Sequence, residues 1–153
     1  MFAFLDTEFT RLHDPSLISI GLVTQNGEEF YAEVPFPQIE CSEFVRDIVM
    51  PLLRREEHAV CKDDYELRTR LLTWLTLVKP RTTLQICYEA AEDWTLLTAV
   101  LGVVPAFVQG KHLYSNEVNE LMRWDFFQRS GLPEHHALYD ARALRAAFFP
   151  RQR

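Results

Sequence analysis

The chain has 153 residues, 48% of them hydrophobic and eleven of them Phe, which excludes a disordered segment and suits one ordered domain over 1–153. Its net charge of −6, from 22 acidic and 16 basic residues, excludes a broad basic binding face but not a small cleft that bound cations neutralise locally. No stretch approaches the roughly 20 apolar residues of a membrane span, and Cys41, Cys61 and Cys87 form no CxxC pattern, so the expected setting is the cytoplasm with reduced thiols.

The opening run Phe2-Ala3-Phe4-Leu5-Asp6-Thr7-Glu8-Phe9 predicts a core strand over 2–7. Segments Leu17 to Thr24 and Glu28 to Val34 flank Gln25-Asn26-Gly27, a hairpin signal, and Pro35 and Pro37 close the third strand. Two helices are expected next, over 42–57 with an interruption near Pro51 and over 64–78, where Leu67, Leu71, Leu75 and Val78 form one stripe. Pro80 ends the second, and Thr82 to Cys87 reads as a fourth strand. A helix over 89–101 stops at Gly102, a fifth strand falls within Ala106 to Leu113, a helix covers 116–129, and a last helix starts near Leu138. The pattern predicts an α/β fold with a mixed five-stranded sheet flanked by helices.

Asp6 and Glu8 share one face of the first strand, since side chains alternate with period two. Paired carboxylates at the exit of a core strand repel each other and are costly to desolvate, a cost that a divalent cation removes. Asp93 precedes Leu96 and Leu97 by three and four residues and so faces inward with them; Asp140 stands in the same relation to Ala143 and Leu144. Four inward carboxylates from three elements, with no nearby Cys, suit magnesium or manganese better than structural zinc. Ahead of Asp140 lies His135-His136-Ala137-Leu138-Tyr139, and a histidine there can accept the proton of an attacking water. Spacing alone does not choose between His135 and His136.

These motifs resemble the DEDDh 3′–5′ exonucleases of the ribonuclease H-like fold. Asp6-Thr7-Glu8 matches the family's Asp-x-Glu, Asp93 its helical Asp, and His135 through Asp140 its third motif of His, four residues, Asp. The stretch His135-His136-Ala137-Leu138-Tyr139-Asp140 looks like ribonuclease T and oligoribonuclease relatives, and the N-terminal part is similar to a compact exoribonuclease-like group of bacteria and phages. One departure is the run Tyr88-Glu89-Ala90-Ala91-Glu92, where the family often carries Asn or Gln.

The resemblance implies a three-layer fold and two divalent cations, Mg2+ or Mn2+. Asp6 would bridge both ions, Glu8 and Asp140 would complete one, Asp93 would hold the other, and His135 would be the general base. The implied substrate is a single-stranded nucleic acid 3′ end, with RNA favoured over DNA. Phe9 and Leu12 are candidates for an apolar platform under the terminal base, although Phe9 also fits the core. Arg11, Arg142 and Arg145 are the candidates for backbone phosphates; Arg151 and Arg153 add charge to a C-terminal segment with one acidic residue after Glu134, Asp140. Trp74, Leu77, Trp124, Phe126 and Phe127 exceed what one stripe can bury, and the family is commonly dimeric, so a homodimer is expected.

Overall fold

Alternation along the first strand divides the molecule into two layers around one sheet. The computed structural model describes residues 1–149, so Arg151 and Arg153 lie outside the described residues. Strand β1 (Phe2–Phe9), β2 (Leu17–Thr24) and β3 (Glu29–Glu33) form an antiparallel meander. On the other side of β1, β4 (Leu84–Tyr88) and β5 (Val108–His112) run parallel to it, giving the order β3-β2-β1-β4-β5. Gly27, at φ +101°, makes the β2–β3 turn, and its N–H donates to the Thr24 carbonyl at 3.0 Å.

Ala3 and Leu5 point toward helices α1 (Asp64–Leu77) and α2 (Ala91–Leu101), where Leu67, Leu71, Leu75, Leu97 and Leu101 close the larger core. Phe4, Val23 and Cys87 point the other way, against Ala141, Leu144 and Ala147 of α4 (Ala137–Ala147). Helix α3 (Glu120–Ser130) packs on α4, and its Phe127 is buried. Each fully buried leucine contributes about 1.5–3 kcal/mol, so these two clusters are what hold the helical layers to the sheet. All three cysteines are free and buried.

Helix starts follow their caps. Asp63 accepts from the Glu66 N–H at 2.8 Å ahead of α1, and Asn119 accepts from Leu121 and Met122 ahead of α3, which therefore begins later than residue 116. The helix expected over 42–57 does not form. Its residues make a single wide turn over Val45–Val49 and short 3₁₀ turns over Met50–Leu52 and Glu57–Ala59. Pro51 supplies no N–H, Leu53 is extended, and Arg54 is left-handed at φ +59°, so helix cannot propagate. Val45 and Val49, four apart, still bury one face against Ile18 and Cys41. The excursion thereby lies over the end of the sheet where β1 terminates, tied there by the Ser42 N–H donating to the Thr10 carbonyl at 2.9 Å.

Candidate metal centre

Five expected site residues converge where β1 ends, beside the amino ends of α2 and α4. Asp6 and Glu8 emerge on the α4 face of β1, ahead of a bulge between Glu8 and Phe9 that breaks the register with β2. Asp6 pairs with Gly21 across the sheet, and the backbone of Ala137 and Leu138 passes directly over that glycine. A β-carbon on Gly21 would stand 2.3 Å from the Ala137 carbonyl carbon, so only glycine lets α4 start this close to the carboxylates.

Asp93 is buried at 4% exposure, and three donors fix it. The Thr7 hydroxyl donates to Oδ1 at 2.6 Å, the Thr7 N–H to the same oxygen at 3.1 Å, and the Ala90 N–H to Oδ2 at 3.3 Å. The last of these bonds closes the first turn of α2 and explains why that helix begins at Ala91 instead of residue 89. On the other side, the His135 N–H donates to Asp140 Oδ2 at 2.8 Å. His135 adopts φ +64°, a left-handed conformation that turns it back over the first turn of α4. Ligand atoms of Glu8, His135 and Asp140 all lie within 4.8 Å of one another, a spacing that can hold a metal ion.

The two adjacent histidines have different surroundings. His136 is buried, stacked between Tyr31 at 4.4 Å and Tyr139 at 3.9 Å, and its Nδ1 makes no hydrogen bond. Burial, aided by the charges of Arg55 and Arg142, pushes its imidazole down to about 4. His135 is partly exposed and edge-on to Phe44, with ring centroids 4.9 Å apart at 88°. Phe44 comes from the excursion expected to be helical, and no feature of its sequence context marks it as a neighbour of the site.

Electrostatics set the four carboxylates apart from surface acids. Burial, and then the charges of Asp93, Glu8, Asp140 and Glu89, hold Asp6 well above the usual carboxylate range. Glu8 is pushed up to about 8 by burial and by Asp140 and Asp93. Burial raises Asp93 to about 6 against the pull of its Thr7 and Ala90 hydrogen bonds, and raises Asp140 to about 6 against the His135 bond and charge and the charge of Arg123. Protonation or a bound cation relieves this repulsion. Two carboxylates and an imidazole within ligand reach of one another, with Asp6 and Asp93 nearby, form a cluster able to coordinate a metal ion.

The other expected contacts divide by position. Phe9 is partly exposed just past the bulge, outside the three buried clusters, and Leu12 is 73% exposed. Arg11 stands 3.5 Å from Glu40. Arg142 does not reach the cluster: it makes a two-bond pair with Glu29 at 2.7 and 2.6 Å. Arg145 donates to the Gln25 carbonyl at 3.1 Å, at the hairpin end of the sheet opposite the site. The reason is helical rise, which carries residue 145 about 7.5 Å along α4 from Asp140. Three residues that sequence reasoning left without a role also border the site. They are Thr7, Glu89 and Arg123, the last two joined by an ion pair.

No protein-family model and no curated protein matches the sequence. Solved structures do. The nuclease domain of 3'hExo, a DEDDh family member, bound to rAMP, is 12% identical, with 94% of this chain and 87% of that chain covered at a TM-score of 0.57. Cell-death related nuclease 4 (CRN-4) is 14% identical, covering 94% of this chain and 60% of that one at a TM-score of 0.58. A full-length 3'-exonuclease is 10% identical, covering 94% and 77% at 0.53. Together with the sheet order and flanking helices, these likenesses assign the chain the ribonuclease H-like three-layer α/β fold.

Proposed function

We propose that the protein is a magnesium- or manganese-dependent 3′–5′ exonuclease that releases nucleoside 5′-monophosphates from single-stranded 3′ ends, RNA by preference. The observation that carries this reading is the gathering of Glu8, His135 and Asp140 within 4.8 Å, beside Asp6 and Asp93. Two cations, when bound, would polarise the scissile phosphate and the attacking water and stabilise the leaving 3′ oxygen. Asp6 would face both ions, Glu8 and Asp140 one, and Asp93 the other. His135, partly exposed and held by Asp140, would take the water's proton at its imidazole. His136, buried between two tyrosines, would hold the turn instead.

Phe9 and Leu12 would support the terminal base by stacking and apolar contact, and Arg11 would meet a backbone phosphate. The net charge of −6 favours trimming of short ends over long tracking, since few phosphates can be held beyond the cleft. A homodimer through the exposed apolar side of α3, where Leu121 is 78% and Trp124 61% exposed, belongs to the same reading. Competing assignments are an exodeoxyribonuclease and a nucleic-acid-binding protein of the same fold without turnover. A 5′-labelled oligonucleotide incubated with magnesium, manganese or chelator separates these. The expected result is a metal-dependent ladder shortening from the 3′ end, faster on RNA than on matched DNA. Faster loss of DNA would reassign the sugar, and binding with no shortening in any metal would overturn the enzyme.

A further inference from the structure

The charge layout beside the cluster has an element that metal binding does not use. In the β1–β4 register Phe4 pairs with Cys87, and both point to the α4 layer. That pairing ends there; Glu89 directly follows β4, and its charge reaches the Asp6 carboxyl. It has a cation partner: Arg123, from the first turn of α3, donates through Nη2 to Glu89 Oε2. The Arg123 Nε is buried without a hydrogen bond, with a Glu120 oxygen at 3.6 Å, while the side chain as a whole is 28% exposed. Its charge also reaches Asp140, across the cluster from Asp6. Arg142 and Arg145, on the neighbouring helix, are committed elsewhere.

We propose that Arg123 is a substrate-binding residue, kept at the mouth of the cluster by Glu89 and transferred to a backbone phosphate of the nucleic-acid strand when the strand enters. The inference rests on the exonuclease reading. A guanidinium offers a planar fork that matches a phosphate's paired oxygens, and here that fork is hydrogen-bonded to Glu89 alone, its Nε lying 3.6 Å from Glu120 without a hydrogen bond. Five carboxylates around one small cleft repel a polyanion, so a cation stored among them places a favourable charge where the strand must pass. Glu89 acts as the placeholder. It keeps the long side chain ordered before binding, so less rotamer freedom is lost when the phosphate replaces it.

The bland alternative is a clamp that only fastens α3 to the end of β4. Fluorescence anisotropy of a short 5′-labelled single-stranded oligonucleotide in calcium, over a series of salt concentrations, separates the two, with steady-state shortening rates in magnesium alongside. For Arg123→Gln the expected result is binding weakened about tenfold. The slope of log affinity against log salt should also be shallower by about 0.7. KM should rise more than kcat falls. Arg123→Lys should keep the salt slope and recover part of the affinity, while Glu89→Gln, which releases the guanidinium, should bind at least as tightly as wild type. If Arg123→Gln melts cooperatively and matches wild type in affinity and salt slope, or if Glu89→Gln weakens binding as much as Arg123→Gln, the clamp is all there is. A wild-type protein that neither binds nor shortens the oligonucleotide overturns the exonuclease reading itself, a result distinct from either of those.

Discussion

The Thr7 hydroxyl donates to Asp93 Oδ1 at 2.6 Å, joining the strand that carries Asp6 and Glu8 to the helix that carries the third carboxylate. Thr7 sits between Asp6 and Glu8 and points to the opposite side of the sheet, so one strand positions all three groups. Thr7→Val keeps the shape and removes the donor. A hydrogen bond to a charged group contributes about 1.5–3 kcal/mol, and loss of such an orienting partner typically costs about 10–100-fold in metal affinity or activity. Calorimetric titration with manganese, paired with thermal melts, should show weaker binding in a protein that still folds.

Gly21→Ala should be far more damaging than its size suggests. The added carbon meets backbone atoms of Ala137 at 2.3 Å and Leu138 at 2.4 Å, which cannot rotate away as a side chain could. Overpacking of this kind costs about 1–3 kcal/mol and sometimes more. The start of α4 must shift, and His135 and Asp140 shift with it. Melting and turnover measured together should both fall, with turnover lost even at temperatures where the protein is folded.

Much of this arrangement is legible in the sequence. Period-two alternation put Phe4, Asp6 and Glu8 on one face, and helical spacing placed Asp93 and Asp140 inward; the carboxylates approach for those reasons. What stayed hidden depended on tertiary contacts. Val45 and Val49 look like a helical stripe, but Pro51 and the left-handed Arg54 stop propagation, and the resulting irregular excursion brings Phe44 to His135. Arg142 and Arg145 look like free cations at the end of the chain, yet Glu29 and the Gln25 carbonyl, both more than a hundred residues earlier, engage them. The neighbours Glu89 and Arg123 are 34 residues apart and meet only because α3 lies across the end of β4.

The metal-free protein should lose stability as pH rises. Asp93 and Asp140 titrate near 6 and Glu8 near 8 in the folded chain, with Asp6 raised as well, against ordinary values near 4 when unfolded. Each folded value is raised, so the folded state binds more protons than the unfolded one between those limits. The stability this gives is complete below about pH 4 and lost as pH climbs through 6 toward 8. Thermal melts in chelator should therefore show a falling midpoint over that window, apart from contributions of other groups. Added manganese at pH 8 should restore much of the loss, and Asp6→Asn should flatten the pH dependence while raising the metal-free midpoint.

The paired histidines should separate cleanly by phenotype. His135→Ala should lower kcat by about 10²–10⁴-fold, the usual worth of a general base, with little change in melting. His136→Ala removes a ring stacked on Tyr31 and Tyr139 and should act mainly on stability. A large kcat loss in a fully folded His136→Ala, with His135→Ala nearly silent, would reverse the assignment.

Subunit association is testable on the exposed side of α3. Trp124, 61% exposed beside Leu121 and Met122, should be part of any homodimer contact there. Light scattering over a concentration series should show wild type approaching twice the chain mass and Trp124→Glu remaining monomeric. A wild type that stays at one chain mass throughout would end the dimer assignment.

The most direct test of the proposed metal centre is anomalous diffraction from crystals soaked in manganese with a nucleoside 5′-monophosphate. Two manganese peaks about 3.5–4 Å apart are expected, both within bonding distance of Asp6, one of them also held by Glu8 and Asp140, with the His135 imidazole facing the phosphate and bonded to neither. A single ion seated on Glu8, Asp140 and the His135 ring with Asp6 unbound, or no ion at saturating manganese, would contradict a two-metal exonuclease centre.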